Sequence, residues 1–243
     1  MNVHDTDFTQ GAKSLPQSAD ETTVYTHLRT QATFHMTTSQ LYSKIISSPF
    51  PPASELIDLD DRLIGGWLNS MPSFFQENVS QEPRFRLCHS ILHWRYRNFR
   101  IFMYRPFLLG QLMARPGQRP TLDNPVRVAV QRCLESSHDT VELISQFWAR
   151  EPRTLMACWY GLYFLSQAVL NPVLCLRNYP QQFRAIEWVG QIQEAMRILE
   201  SMASINCGTL PTDESPQMQL VQLYPLMWPT LDMAQLGGTD SVL

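Results

Sequence analysis

The feature that most limits how this chain can fold is the run Arg84–Leu109, RFRLCHSILHWRYRNFRIFMYRPFLL, in which six arginines alternate with aromatic and aliphatic residues. At 3.6 residues per turn it separates into two stripes. Arg86, His89, His93, Arg97, Arg100 and Tyr104 share one, and Cys88, Leu92, Phe99 and Phe102 share the other. The spacing predicts a helix that starts near Pro83, buries the second stripe and ends on Arg105-Pro106-Phe107. Arg95 projects into the apolar stripe, where an unpaired guanidinium is too costly to keep. A carboxylate from another helix is therefore expected beside it, with Asp139 and Glu142 nearest along the chain.

The remaining periodicities are also helical. Ser18-Ala-Asp-Glu21 matches a capping box, and Val24, Leu28, Ala32, His35 or Met36, Leu41, Ile45 and Ile46 predict an amphipathic first helix, loosened at Thr37-Thr38 and closed by the prolines after Ser48. Leu56, Leu59, Leu63 and Trp67 predict a second helix ending at Met71-Pro72, with Gly65-Gly66 allowing close approach of a neighbour. After the turn at Arg115-Pro116-Gly117, a helix buries Val126, Val130, Cys133, Ser137, Val141, Ile144 and Trp148. The uncharged run Leu155–Leu176 follows and would be about 33 Å long as a helix, enough to span a bilayer. Ser166, Gln167, Asn171 and Pro172 in its interior, and arginines on both flanks, favour the buried centre of a helical bundle instead. A last helix, about Gln182 to Ala203, is expected to turn Phe183, Ile186, Ile192, Met196 and Leu199 inward. No segment alternates with period two. The expectation is an all-α bundle or array of about six helices over residues 20–208, between a flexible N-terminus (1–19) and a flexible acidic-hydrophobic tail (209–243).

Composition narrows the function. The net charge is −3, and only two of the 19 cationic residues are lysines, so a basic surface for nucleic acid or membrane is not evident. Five scattered cysteines, Cys88, Cys133, Cys158, Cys175 and Cys207, have no chelating spacing and read as buried, reduced thiols. His89 and His93 stand four apart, as metal ligands can, but Ser90 occupies the place a metalloprotease gives to glutamate, and the pair reads as a solvated or interface-facing polar stripe. Asp58, Asp60 and Asp61 resemble the aspartate clusters with which terpenoid synthases hold magnesium, yet Ile64 and Gly65 stand where the next acid belongs. They read as an acidic outer face. The six arginines spread around their helix rather than lining one nucleic-acid surface. No nucleophile elbow or phosphate-binding loop is present, so no enzyme, catalytic group or cofactor is expected.

The order of several motifs resembles the fungal-specific transcription factor domain, the regulatory region of binuclear zinc-cluster activators of the galactose-activator and acetate-utilisation type. Leu63–Pro72, LIGGWLNSMP, supplies Trp67 and Pro72; Ile91–Leu109 supplies Arg95, Tyr104, Arg105 and Pro106; Cys133-Leu-Glu-Ser-Ser137 opens the following helix; and Trp159-Tyr160 leads the central apolar run. The resemblance implies an all-α nuclear module regulating RNA polymerase II transcription, partnered by transcription machinery or regulatory proteins and open to a small-molecule inducer. It implies zinc and DNA contact only through an N-terminal cysteine cluster that these residues lack, and a chain corresponding to the C-terminal part of the domain. A soluble α-helical interaction protein outside transcription is the alternative, with a terpenoid-synthase-like enzyme behind it.

Overall fold

A computed structural model describes residues 2–3, 17–114, 124–203 and 205. Its elements are α1 (Val24–Ile45), α2 (Ala53–Leu59), a π-helical segment (Asp60–Ile64), α3 (Gly65–Ser70), a 3₁₀ turn (Ser73–Phe75), α4 (Pro83–Met113), α5 (Asn124–Arg150), α6 (Leu155–Asn178) and α7 (Ala185–Ala203). α2, the π segment and α3 run on as one rod, so the described residues form an all-α array of six rods without strands. The turn at Arg115-Pro116-Gly117, Cys207 and the tail from Thr209 lie outside the described residues.

α4 is the centre of the array. It packs on α5 most extensively and also on α6, α1 and α2. Two apolar clusters flank it: Leu92, Tyr96, Met103, Tyr104 and Leu108 join one with Phe34, Leu56 and Trp67, while Ile91, Trp94 and Ile101 join the other with Ile144, Trp148, Phe164 and Ile198. The helix is thus buried nearly all round, which corrects the two-faced projection. His89, His93, Arg97 and Tyr104, expected toward water, are buried, whereas Phe102 is 44% exposed. Nor does the helix end at Arg105-Pro106-Phe107, because it continues through Pro106 to Met113. The proline withholds one N–H from the carbonyl of Phe102, and both residues lie on the exposed side, where water can replace that donor.

The uncharged α6 is not the centre. Ala157, Gly161, Phe164, Leu165, Gln167, Ala168, Asn171 and Cys175 are buried, but Leu155, Met156, Trp159 and Val173 face outward. Among the described residues no helix is long and apolar enough to cross a membrane.

Two other faces are rotated from expectation. α1 begins at Val24, not at Ser18, with the Thr23 amide donating to Thr26 Oγ1 at 2.9 Å and Asn2 Oδ1 accepting from the hydroxyls of both threonines at 2.6 Å. It buries Thr26, Thr30, Phe34, Thr38 and Leu41 and exposes Val24, Leu28, Met36 and Ile46. Threonine can take core positions because its hydroxyl bonds back along the helix, as Thr30 does to the Thr26 carbonyl (2.7 Å) and Thr38 to that of Phe34 (2.8 Å). Only methyl groups are left for packing. α7 turns Trp188, Gln191, Ala195, Ile198 and Met202 inward and leaves Phe183, Ile186 and Met196 outside. α5 keeps its expected face, with Cys133, Ser137, Val141, Ile144 and Trp148 all buried.

Candidate functional site

The described structure concentrates its chemistry along α4, in three buried polar ties and one open cleft. The first tie is built on the π segment. The Gly65 amide bonds the Asp60 carbonyl five residues back, widening the helix where two glycines make a regular turn least favourable. The extra residue swings Asp60 to the buried side, where its side chain is fully enclosed. Its carboxylate accepts from Arg100 Nε at 2.9 Å, Tyr104 Oη at 2.8 Å and Arg132 Nη1 at 3.0 Å. Arg132 extends the pairing to Asp61, reaching both carboxylate oxygens at 2.8 and 3.0 Å. Burial, reinforced by the neighbouring Asp60 carboxylate, raises the Tyr104 phenol well above its ordinary value. The three aspartates thus do not form one acidic outer face: Asp58 is exposed, Asp61 lies at the edge and Asp60 is in the core. No close helix approach explains the glycine pair either, since a Cβ on Gly66 would meet nothing within 4 Å and one on Gly65 only its own helix at 3.8 Å.

The second tie centres on Arg97. It donates from Nη2 to Glu77 Oε2 at 2.9 Å and from Nη1 to the His93 carbonyl at 3.2 Å, lies 3.6 Å from Asp139 Oδ2, and rests over the Tyr96 ring. Asp139 therefore pairs with Arg97 and not with Arg95, while Glu142 sits at the surface near Gln146 and His138. Next to it His89 Nε2 faces the carbonyl oxygens of Phe75 (3.1 Å) and Gln76 (3.2 Å) and His93 Nε2 at 3.3 Å. Burial, then the charges of His89 and Arg97, drives His93 down to about 2, so both rings are held neutral inside the protein rather than lining its surface. Their Nε2 atoms are engaged, and among the described residues no group of three His, Cys, Asp or Glu side chains is placed to hold a metal.

The third tie joins α4, α5 and α6. Arg105 Nε donates to Asn171 Oδ1 at 3.0 Å, Nη1 to Gln167 Oε1 at 3.2 Å and Nη2 to the Gln167 carbonyl. Asn171 then donates to Ser137 Oγ at 2.7 Å and to Cys133 Sγ at 3.3 Å. Burial pushes the Cys133 thiol up to about 12 and the Cys175 thiol up to about 11, so neither supplies a thiolate at neutral pH.

The signature positions divide accordingly. Tyr104, Arg105 and Cys133 belong to these ties, and Trp67 is buried against Phe34 with its Nε1 donating to the Thr30 carbonyl at 3.2 Å. Pro72 leads from α3 into the 3₁₀ turn, Pro106 lies on the outer side of α4, and Trp159 is 56% exposed. Arg95 stands apart from all three ties. It borders a cleft of about 350 Å³ between α1, α4 and α6. The sequence signal missed for the third tie was the Gln167/Asn171 pair, two amides one turn apart in an otherwise apolar helix. Arg132, with acids both near and far along the chain, gave no local signal.

With this geometry in place, comparison with known proteins returns one informative relative. The chain is similar to a fungal transcription factor. Over 121 residues, 46% of this chain, it is 29% identical to the sorbicillinoid biosynthetic cluster transcription factor 2 of Penicillium rubens. The match covers 18% of that protein's length. No family model matches, and no solved structure does.

Proposed function

We propose that this chain is a regulatory module of a fungal transcription regulator: the C-terminal part of a fungal-specific transcription factor domain, over residues 20–208, from a zinc-cluster activator. It acts in the nucleus on RNA polymerase II transcription and catalyses no reaction. The observation that carries this reading is the 121-residue likeness to a fungal transcription factor. The packing supports it, because Trp67, Tyr104, Arg105 and Cys133 each link α4 or α3 to a different helix and so hold one array together. Zinc and DNA contact belong to a cysteine cluster outside these residues, and the segment 209–243 serves as an activation or docking segment.

Fusion of the full chain to a heterologous DNA-binding domain in a fungal host tests the proposal. Reporter transcription should change several-fold relative to the DNA-binding domain alone. An unchanged reporter, with the fusion present in the nucleus at normal level, overturns it. The unfused chain should give no sequence-selective shift of duplex DNA in a gel assay.

A further inference from the structure

The cleft between α1, α4 and α6 combines three properties that do not occur together elsewhere among the described residues. Its walls are largely aromatic, with Phe99 and Tyr163 joined by Phe102, which is 44% exposed. It is bordered by a cation without an acidic partner: Arg95 Nε is sealed from water and bonded to nothing, and the printed neighbour of its Nη1 is the His35 ring at 3.5 Å, the outer limit of a hydrogen bond. It also contains a buried acceptor in want of a donor, since Asn98 is only 6% exposed and its Oδ1 has no partner. No carboxylate lines the cleft. The other arginines buried along α4 have all their charge engaged, Arg97 by Glu77 and Asp139, Arg100 by Asp60, and Arg105 by the amides of α6. Arg95 is therefore not an ordinary structural ion pair. Leaving a guanidinium edge and an amide oxygen dry and unbonded destabilises the empty protein, and the residues that would relieve it are not supplied by the fold.

We propose that this cleft is a binding site for a small aromatic anion that carries a hydroxyl group beside its acidic group. The carboxylate or enolate would accept paired hydrogen bonds from the Arg95 guanidinium, whose planar edge suits a two-oxygen acceptor. The neighbouring hydroxyl would donate to Asn98 Oδ1, and the ring would lie between Phe99, Phe102 and Tyr163. The volume falls at the small end of ligand pockets and fits a compact ring system. His35 adds to the selectivity for an anion, because it leaves Arg95 facing an imidazole rather than an acid. This site stands on the cleft alone and goes beyond the transcriptional reading, so the two fail separately.

Titration calorimetry of the full chain with 2-hydroxybenzoate tests the site. One site per chain is expected, with Kd in the high-micromolar to low-millimolar range that a ligand of roughly ten heavy atoms reaches. Arg95→Met should weaken binding at least tenfold, and Arg95→Lys less. Asn98→Leu should weaken 2-hydroxybenzoate but leave benzoate unchanged, a readout that general damage to the fold does not produce. The neutral analogue 2-hydroxybenzamide should bind at least tenfold more weakly than the acid. Absence of saturable heat with the folded wild-type chain overturns the proposal. So does equal affinity for acid and amide, or equal affinity of wild type and a folded Arg95→Met.

Discussion

α4 and α6 trade the places their compositions imply. The helix with six arginines and two histidines runs through the middle of the array, while the helix without a charge from Leu155 to Leu176 presents Leu155, Met156 and Trp159 to the outside along its first turns. The difference lies in partners. The polar groups of α4 meet Asp60, Glu77, Asp139, Gln167 and Asn171, so each charge arrives in the interior already compensated. Burial therefore follows whether a residue's bonding needs can be met on several sides, not its affinity for oil.

The comparison breaks most visibly at Asp60. Asp60→Asn should cost about 3–5 kcal/mol in chemical denaturation, because two half-sheltered guanidiniums are left facing one another without their shared anion. Asp61→Asn, at the exposed end of the same pairing, should cost under about 1 kcal/mol. Similar losses at both positions would show that the buried carboxylate is not what centres α4.

Acid should come next. His93 is held neutral in the folded protein down to about 2, whereas an unfolded chain protonates it near its ordinary 6.5. The unfolded state therefore binds the extra proton first, and the stability present above pH 6.5 is lost as the pH falls toward 2, by up to about 1.4 kcal/mol per pH unit. His89, lowered in the same direction by burial, adds to that slope. Denaturation midpoints across pH 7 to 4 check this, and His93→Phe should flatten the curve. A smaller loss, about 1.5 kcal/mol, is expected for Tyr104→Phe, since Arg100 and Arg132 still hold Asp60 when the phenol hydroxyl is gone. Smallest of all, Trp159→Ser and Met156→Gln should change stability by no more than about 0.5 kcal/mol, as exposed positions do. A large loss there would mean that the apolar start of α6 is covered in the folded chain.

Helix type and order were legible from period alone, and so was the inner face of α5, where the buried residues are mostly large and apolar. Faces made of small or polar residues were not. Thr26, Thr30 and Thr38 on α1 satisfy their hydroxyls locally and pack as aliphatics, and Gln191 and Ala195 on α7 hold the core line while Phe183 and Ile186 do not. Periodicity weighted by hydrophobicity selects the wrong stripe in both helices. Along α4 the expectation of a buried arginine paired with an acid held in kind, but Arg97 fills that role and Arg95 does not. The two are about 200° apart around the helix, and a helix buried on nearly all sides offers no empty face by which a projection could choose between them. Trp67, Tyr104, Arg105 and Cys133 prove to be contact points between helices, while the cleft beside Arg95 depends on three separate elements meeting and left no trace in spacing.

The wide turn at Asp60–Ile64 makes chain length itself informative. Leu56 and Trp67 are eleven residues apart, about three full turns, so in an unbroken α-helix they would sit one above the other. The additional residue absorbed by the π segment displaces them by about 100°, and one rod serves two neighbours: its α2 end packs on α4 and α5, its α3 end on α1. The segment acts as a vernier between two gratings. Changing a side chain within it alters one contact, but removing one residue moves every contact on one side of it out of phase. Related sequences can be recognised here by the count of residues between these two landmarks, even where the letters between them differ.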